Sequence, residues 1–312
     1  MTTLVTGGTG FIGSYVSRML INRGEKVIVY DLVPKFNLMK NVSNQMIEIV
    51  HGDILDLPHL LRTIKKYDVN RVIHLAYMLI DACDANPYKA MKVNILGTNN
   101  VFEAARILDL ERVVWASSSA VYAPAREYGG ASVCVTEDFP ITTRGVSVYG
   151  ACKILNEFTS QFYSERYNLD LIGLRPTIVY GPGRVKGGTA FLSLLIENPA
   201  RGKPIHVPFS ADQECNWIYV KDAAAGFVTA CFAKKPKHII FNLGGETRTL
   251  GEAANYVKEI IPDANITFGS AKAEWVSRYD TTRIFEELGF KPKYSLKDGI
   301  KDFIKIVRSE SG

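Results

Sequence analysis

The chain of 312 residues lacks most of the features that mark specialised protein classes. Its five cysteines (Cys83, Cys134, Cys152, Cys215 and Cys231) are odd in number, far apart and without a Cys-x-x-Cys pair. That argues against a disulfide framework or a thiolate zinc site, and it fits a reducing, cytoplasmic setting. The five histidines (His51, His59, His74, His206 and His238) show no metal-ligand spacing, so no metal is expected. His74 lies inside an apolar run and reads as a core residue. No apolar run is long enough to span a bilayer. The first strand-like run begins almost at residue 1, which leaves no room for a signal peptide. Charge of neither sign dominates: the formal net charge is +5. A modest cluster of Lys291, Lys293, Lys297, Lys301 and Lys305 reads as the solvated face of an amphipathic helix. Neither nucleic acid nor a membrane is expected as a partner.

What the chain does have is a glycine turn at its start, Thr6-Gly7-Gly8-Thr9-Gly10-Phe11-Ile12-Gly13. It follows a short apolar run and precedes a helical pattern over 11–22. Strand, glycine turn and helix in that order make a phosphate cradle. Glycine lets the backbone bend sharply and approach a diphosphate, and the helix start offers free N–H groups and partial positive charge. A second strand, 26–30, ends in Asp31, eighteen positions after Gly13. A carboxylate there can accept hydrogen bonds from the adenosine ribose, and it repels a 2′-phosphate. The spacing therefore points to NAD rather than NADP.

The first half of the chain alternates strand and helix patterns. Strands are expected over 2–5, 26–30, 46–50, 71–76, 112–117 and 169–174, and helices over 11–22, 57–66, 87–108 and 148–167. Continuous apolar strands between periodic helices imply a parallel sheet covered on both faces, a Rossmann α/β doubly wound arrangement. Ligands of such sheets sit at the carboxyl ends of the strands. After Arg175 the pattern changes to a glycine-rich basic loop, 181–188, and shorter elements. These are helices over 189–198, 220–232, 250–260 and 282–288, with strands over 205–208 and 238–243. The expected organisation is a cofactor-binding core over 1–175 and a small α/β substrate lobe over 176–312, with two or so strands returning to the main sheet.

A second anchor is Tyr149-Gly150-Ala151-Cys152-Lys153. Positions i and i+4 of a helix share one face, so the phenol and the ammonium can reach the same small volume. A free phenol titrates near pH ~10, and a nearby ammonium is expected to lower that value. Such a tyrosine can take the proton of an alcohol as hydride leaves for NAD. A hydroxyl from Ser117-Ser118-Ser119, at the end of a strand, can hold the substrate oxygen against the phenol. The lysine can also donate to the nicotinamide ribose.

With the glycine turn, Asp31, Gly52-Asp53-Ile54, His74-Leu75-Ala76, Val93-Asn94, the serine run through Tyr122, Tyr149 to Lys153, and Leu174 to Pro182, the sequence resembles the extended short-chain dehydrogenase/reductase superfamily. Within it the likeness is to the NAD-dependent epimerase/dehydratase branch, the UDP-glucose 4-epimerase-like proteins. The resemblance implies that Gly7, Gly10, Phe11, Ile12 and Gly13 hold the pyrophosphate and Asp31 the adenosine ribose. Asp53 and Ile54 would flank the adenine. Leu75, Ala76, Asn94, Pro176, Ile178 and Val179 would complete the cofactor cleft. Tyr149 would be the base, Lys153 its electrostatic partner and Ser118 the catalytic hydroxyl. Tyr77, Ser118, Ser119, Thr177, Arg184 and Trp217 are the substrate-side candidates. Members of the family often dimerise through helices matching 87–108 and 148–167, so a homodimer is expected.

Departures from the family pattern bear on the substrate. Ser119 and Ala120 stand where dehydratases carry an Asp-Glu pair, so dehydration is not expected. Cys215 stands where nucleotide-sugar epimerases carry an arginine, and only Arg278 remains to replace a second pyrophosphate contact. Tyr77-Met78 replaces a small residue and narrows the substrate side. Arg184 and Lys186 could meet a carboxylate, although their loop reads as solvated. The sequence thus points to oxidation of a secondary alcohol of a sugar-like substrate, foremost by a sugar epimerase. The lost arginine favours the alternative, a dehydrogenase of a smaller sugar acid or hydroxy acid. A non-catalytic dinucleotide sensor is a third reading, and the intact Tyr149 and Lys153 speak against it.

Overall fold

The computed structural model describes residues 1–35, 39, 46–130 and 132–310. The chain opens with β1 (Thr2–Thr6), α1 (Phe11–Asn22), β2 (Lys26–Asp31), β3 (Ile47–His51), α2 (Leu57–Lys66) and β4 (Arg71–His74). Then come α3 (Ile80–Ala85), α4 (Pro87–Met91), a π-helical turn (Lys92–Leu96), α5 (Gly97–Ile107) and β5 (Arg112–Ala116). After a two-residue strand β6 (Cys134–Val135) follow α6 (Val148–Tyr167), β7 (Leu171–Pro176) and β8 (Ile178–Tyr180). The remainder is α7 (Phe191–Ala200), β9 (Ile205–Phe209), β10 (Glu214–Tyr219), α8 (Val220–Phe232) and β11 (Ile240–Leu243). It ends with β12 (Glu246–Thr249), α9 (Leu250–Ile260), β13 (Ile266–Ala271), β14 (Arg278–Tyr279), α10 (Thr282–Leu288) and α11 (Leu296–Glu310).

Seven parallel strands form the central sheet in the order β11-β7-β5-β4-β1-β2-β3. It is the doubly wound Rossmann arrangement expected from the alternation of patterns. Adjacent residues along each strand serve opposite faces. Leu4, Ile28, Val72, Val113 and Leu171 pack in one core, beside Phe102 and Trp115. Their neighbours Val5, Val29, Ile73, Val114 and Ile172 pack in the other, beside Val16, Leu20 and Phe227. That two-residue alternation, apolar on both sides, requires helices on both faces. The chain reverses direction across the sheet between β1 and β4, which pair through Thr6 and His74. The glycine turn after β1 and Leu75 after β4 therefore face each other across that switch point.

Among the described residues, β11 alone returns to the main sheet from the second half, where two or so strands were expected. The rest builds a three-stranded sheet, β12-β10-β8, and the pairs β13-β9 and β14-β6. The helix expected over 87–108 is also interrupted. Its wide π turn frees the Asn94 carbonyl, which accepts from Thr98 Oγ1 (2.8 Å) and Asn156 Nδ2 (2.8 Å). π turns of this kind concentrate at functional sites. Among the described residues, no helix is long and apolar enough to cross a membrane.

Candidate active site

The glycine turn is fixed by sterics. Gly7 has φ +65°, and a Cβ there would lie 2.9 Å from the Ala76 nitrogen. A Cβ on Gly13 would strike the Gly7 carbonyl oxygen at 2.2 Å, so α1 can start this close to β1 only with glycine. Gly10 is the N-cap of α1 and no side chain caps the helix. The first-turn N–H groups of Phe11, Ile12 and Gly13 are thus left for an anion. Asp31 closes the other side of the cradle. Its Oδ2 accepts from Thr9 Oγ1 (2.6 Å) and Thr9 N (3.2 Å), and its Oδ1 accepts from Val33 N (3.1 Å). An uncapped helix start beside a backbone-held carboxylate fits the diphosphate and ribose of a dinucleotide.

Thr6 ties this turn to the neighbouring strand. Its Oγ1 accepts from Leu75 N (3.1 Å) and Ala76 N (3.2 Å) and pairs with His74 Nδ1 at 2.7 Å. The His74 Nε2 meets Thr98 Oγ1 at 3.1 Å, so the ring is buried and satisfied. Asp53 stays partly exposed, and its Oδ1 accepts from Leu55 N (2.9 Å). Ile54 is buried under α5, where a Cβ on Gly97 would meet its side chain at 2.6 Å.

Tyr149 and Lys153 lie on α6, which Ser147 caps by accepting from Gly150 N at 3.2 Å. Gly150 lets the helix pass over the segment after β5: a Cβ there would lie 2.2 Å from the Ala120 oxygen. That contact brings Tyr149 beside Ser118, whose hydroxyl works against the rise of the phenol. Ser118 Oγ also accepts from Ala120 N at 3.1 Å, which fixes its rotamer.

The expected depression of the phenol by Lys153 is not found. The Lys153 ammonium is buried, donates to the Ala116 carbonyl, and sits over the Tyr77 ring, 3.1 Å from its centre. It lies 5.6 Å from the centre of the Tyr149 ring. Burial pushes the Tyr149 phenol up, and the Ser118 hydrogen bond and the Arg184 charge oppose that rise. Burial likewise pushes the Lys153 ammonium well below its ordinary value.

On the substrate side Tyr77 packs edge-on against Tyr149, with ring centres 5.3 Å apart. Asn94 sits behind it. Its amide bonds Met78 N (2.8 Å), Met78 O (3.1 Å) and Cys83 Sγ (3.3 Å), so it shapes the Tyr77-Met78 segment and its side chain is fully engaged there. Thr177 is buried and donates to Asn216 Oδ1 at 2.8 Å. Pro176 and Val179 are buried, and Ile178 is partly exposed. Tyr279 is partly exposed and donates its hydroxyl to the Val276 carbonyl at 2.8 Å, with Ser119 near its phenol.

Two substrate-side expectations change. Trp217 is in the core, 2% exposed, and its Nε1 donates to the Arg248 carbonyl (3.0 Å) across the β10–β12 pair. Arg184 is partly buried rather than fully solvated, although Lys186 is exposed. It folds back onto the Val179 carbonyl and the Thr189 hydroxyl. Cys215 is fully buried, and Arg278 is held by Glu214 at 2.8 Å and 3.3 Å. Arg278 therefore does not stand free to replace a pyrophosphate contact. Two residues of the site had no sequence signal: the hydroxyl of Thr9, and Tyr279, which reaches Ser119 from a distant strand.

Comparison with known proteins agrees with this geometry. Residues 3–244 match the model of the NAD-dependent epimerase/dehydratase family. A putative UDP-glucose 4-epimerase of Methanocaldococcus jannaschii is 30% identical over 313 residues, covering 99% of each chain. The crystal structure of a Thermotoga maritima UDP-glucose 4-epimerase with UDP-glucose superposes with a TM-score of 0.87 at 26% identity, over 100% of both chains. A Thermus thermophilus UDP-glucose 4-epimerase in complex with NAD gives 0.85 at 27% identity, over 99% of both.

Proposed function

The chain belongs to the NAD-dependent epimerase/dehydratase family, and from that membership we propose that it is a sugar epimerase. It oxidises a secondary alcohol of a sugar or sugar-like substrate and reduces the ketone from its other face. Bound NAD would supply the hydride acceptor and donor for this chemistry. The first-turn N–H groups of Phe11, Ile12 and Gly13, with Gly7 and Gly10 giving close approach, hold the diphosphate. Asp31 accepts from the adenosine ribose, with Asp53 and Ile54 on the adenine side. Leu75, Ala76, Pro176, Ile178 and Val179 line the cleft, and Asn94 shapes it through Met78. Lys153 donates to the second ribose. Tyr149 takes the alcohol proton at its phenol oxygen, and Ser118 holds both that oxygen and the substrate's.

The observation that supports this reading is the packing of α6 over the segment after β5 at Gly150 and Ala120, which sets Tyr149 beside Ser118 with Lys153 one helical turn away. The named substrates of the Thermotoga and Methanocaldococcus relatives support a UDP-sugar. One observation favours the second reading, a dehydrogenase of a smaller sugar acid or hydroxy acid: Cys215 and the Glu214-bound Arg278 leave no free guanidinium at the two pyrophosphate positions.

Three further expectations belong to this proposal. Residues 1–175 form the cofactor core and 176–312 the substrate lobe. Apolar side chains on the outer faces of α5 and α6 support a homodimer. Five unbridged cysteines support a cytoplasmic setting.

Tyr149→Phe tests the chemistry. Turnover of the UDP-glucose/UDP-galactose pair, followed by proton NMR, should fall by about 10²–10⁴-fold while NAD stays bound. Unchanged turnover would overturn the assignment of the base. NADH absorbance separates the two readings: a dehydrogenase accumulates it with substrate, and an epimerase does not.

A further inference from the structure

Three consecutive residues at the exit of β5 each meet α6. The Ala116 carbonyl accepts from the Lys153 ammonium. Ser117 Oγ donates to Glu157 Oε1 at 2.5 Å. Ser118 lies beside Tyr149, where Gly150 lets the helix cross the Ala120 carbonyl. Tyr149, Lys153 and Glu157 stand four residues apart on α6 and so share one face. The middle contact has no part in the chemistry derived above. Ser117 is 2% exposed and its hydroxyl is turned to Glu157, so it is not the substrate-facing member of the serine run.

Glu157 is held from behind. It is buried and takes both arms of the Arg175 fork, Nε to Oε1 at 2.8 Å and Nη2 to Oε2 at 2.6 Å. The remaining arm of Arg175, Nη1, donates to the Tyr122 hydroxyl (2.7 Å) and the Glu137 carbonyl (3.1 Å). Tyr122 in turn donates to Asn242 Oδ1 (2.8 Å), and the Asn242 N–H donates to Glu137 Oε1 (2.7 Å). The carboxylate is therefore fixed by elements on three sides: α6 that carries it, β7 that carries Arg175, and β11 beyond.

A buried ion pair adds little stability over apolar residues of the same volume, and it is tolerated only where its hydrogen bonds are satisfied. Stability is thus a poor account of this pair, and its position is a better one. Ser117 sits between the residue whose carbonyl holds Lys153 and the residue beside Tyr149. A shift at Ser117 moves both neighbours along α6, and small displacements of reacting groups are costly in rate.

We propose that Glu157 is a positioning residue for the reaction: through Ser117 it sets the spacing of Ser118, on the exit of β5, from Tyr149 and Lys153 on α6. This rests on the reading of Tyr149 as the base and names the group that fixes the distance over which its proton moves.

Ser117→Ala tests it, because it removes the middle contact and leaves the Glu157–Arg175 pair whole. Carbon NMR of the NAD-loaded full chain labelled at tyrosine reads the phenol directly, with the Tyr149 signal assigned by its loss in Tyr149→Phe. That signal should shift in Ser117→Ala. Turnover of UDP-glucose to UDP-galactose should show kcat lower by about 10–100-fold, with KM and the Kd for NAD within about twofold of the parent. The paired variant Glu157→Leu/Arg175→Met removes the carboxylate without leaving a buried charge alone, and it should show the same shift and the same loss. If that variant does not fold, Ser117→Ala decides. An unmoved Tyr149 signal or an unchanged kcat in Ser117→Ala would overturn the proposal. So would a loss confined to melting temperature and NAD affinity, or a folded paired variant with the parent's kcat. The NMR readout needs no substrate, so failure of the epimerase reading is registered separately, as unchanged turnover of Tyr149→Phe.

Discussion

The Lys153 ammonium rests on the face of Tyr77, 3.1 Å from the ring centre, and its one hydrogen bond goes to the Ala116 carbonyl. No carboxylate among the described residues pairs with it. A buried ammonium is thus held by an aromatic face and a single carbonyl, both attractive to a cation and neither able to neutralise it. The arrangement keeps the charge available for a ribose hydroxyl. It also places Tyr77, edge-on to Tyr149, as the spacer between base and cation.

Removing that face should therefore act on catalysis. A desolvated cation–π contact is worth about 2 kcal/mol, so Tyr77→Ala should lower kcat by about 10–30-fold with a smaller change in KM. Tyr77→Phe keeps the ring and loses only the hydroxyl contact with Asn156 at 3.4 Å, so it should stay near wild type. Steady-state kinetics of both variants decide the matter. Equal losses would assign the effect to the hydroxyl rather than the face.

Thr9 and Asp31 invite a second substitution. The 2.6 Å hydrogen bond from the Thr9 hydroxyl orients the carboxylate, and losing such a bond costs about 1.5–3 kcal/mol. Thr9→Val should weaken NAD binding by about 10-fold or more without changing kcat at saturating NAD. Asp31→Ser should weaken NAD and raise the affinity for NADP, since the repulsion of a 2′-phosphate is gone. Fluorescence titration with both cofactors measures this. An unchanged NAD-to-NADP ratio in Asp31→Ser would remove Asp31 from the ribose site.

Much of this was legible in the sequence because it is local. Strand, glycine turn, helix and acid fall within the first 31 residues, and each obeys a steric or electrostatic rule readable from neighbours. The bounds of α6, α8, α9 and α10 match the apolar periodicity residue for residue. What escaped is set by distant chain. The π turn at Lys92–Leu96 is invisible to periodicity, because Asn94 turns inward to serve Met78, sixteen residues away. Arg184 reads as solvated because Lys186 and the glycines flank it, and only folding brings Val179 and Thr189 to its fork. Trp217 looks like a ligand-facing aromatic until the antiparallel pairing with β12 supplies the Arg248 carbonyl. Lys153 could be placed on the face of Tyr149, but which ring its ammonium would meet depended on Tyr77, in the segment after β4.

His74 gives the fold a pH dependence of known sign. Burial, with help from the Lys153 charge, holds its imidazole at about 3, against an ordinary 6.5. Between those values the unfolded chain binds a proton that the folded chain refuses. Stability from this residue is complete above pH 6.5 and declines as pH falls toward 3, by about 1.4 kcal/mol per pH unit. His74→Gln keeps a donor and an acceptor for Thr6 and Thr98 but cannot take up the proton. Urea denaturation between pH 6.5 and 4.5 should give a plot of stability against pH that is shallower in the variant by about that slope. Parallel plots would mean that His74 is already protonated in the native state.

The outer faces of α5 and α6 carry the last prediction. Phe158 is 68% exposed, and Leu155 and Phe162, three and four residues from it, continue one apolar stripe along α6. Leu96 and Ile107 extend the patch onto the π turn and α5, which packs beside α6. Exposed apolar side chains on neighbouring helices are the kind of surface that a second copy can cover. A two-fold axis through it would set the two helices against their copies in a four-helix arrangement, each Phe158 entering an apolar surface of the same composition. Burying one such phenylalanine is worth about 1.5–3 kcal/mol, and the axis counts it twice. Phe158→Glu replaces that gain with two carboxylates that must be desolvated near each other, so the variant should sediment as a monomer at concentrations where the parent is a dimer. The same helix carries Tyr149 and Lys153 on its inner face. Loss of the outer support should therefore lower the melting temperature and reduce kcat more than it raises KM. A parent protein that sediments as a monomer, or a dimer that survives the substitution, would move the interface elsewhere and detach the order of α6 from assembly.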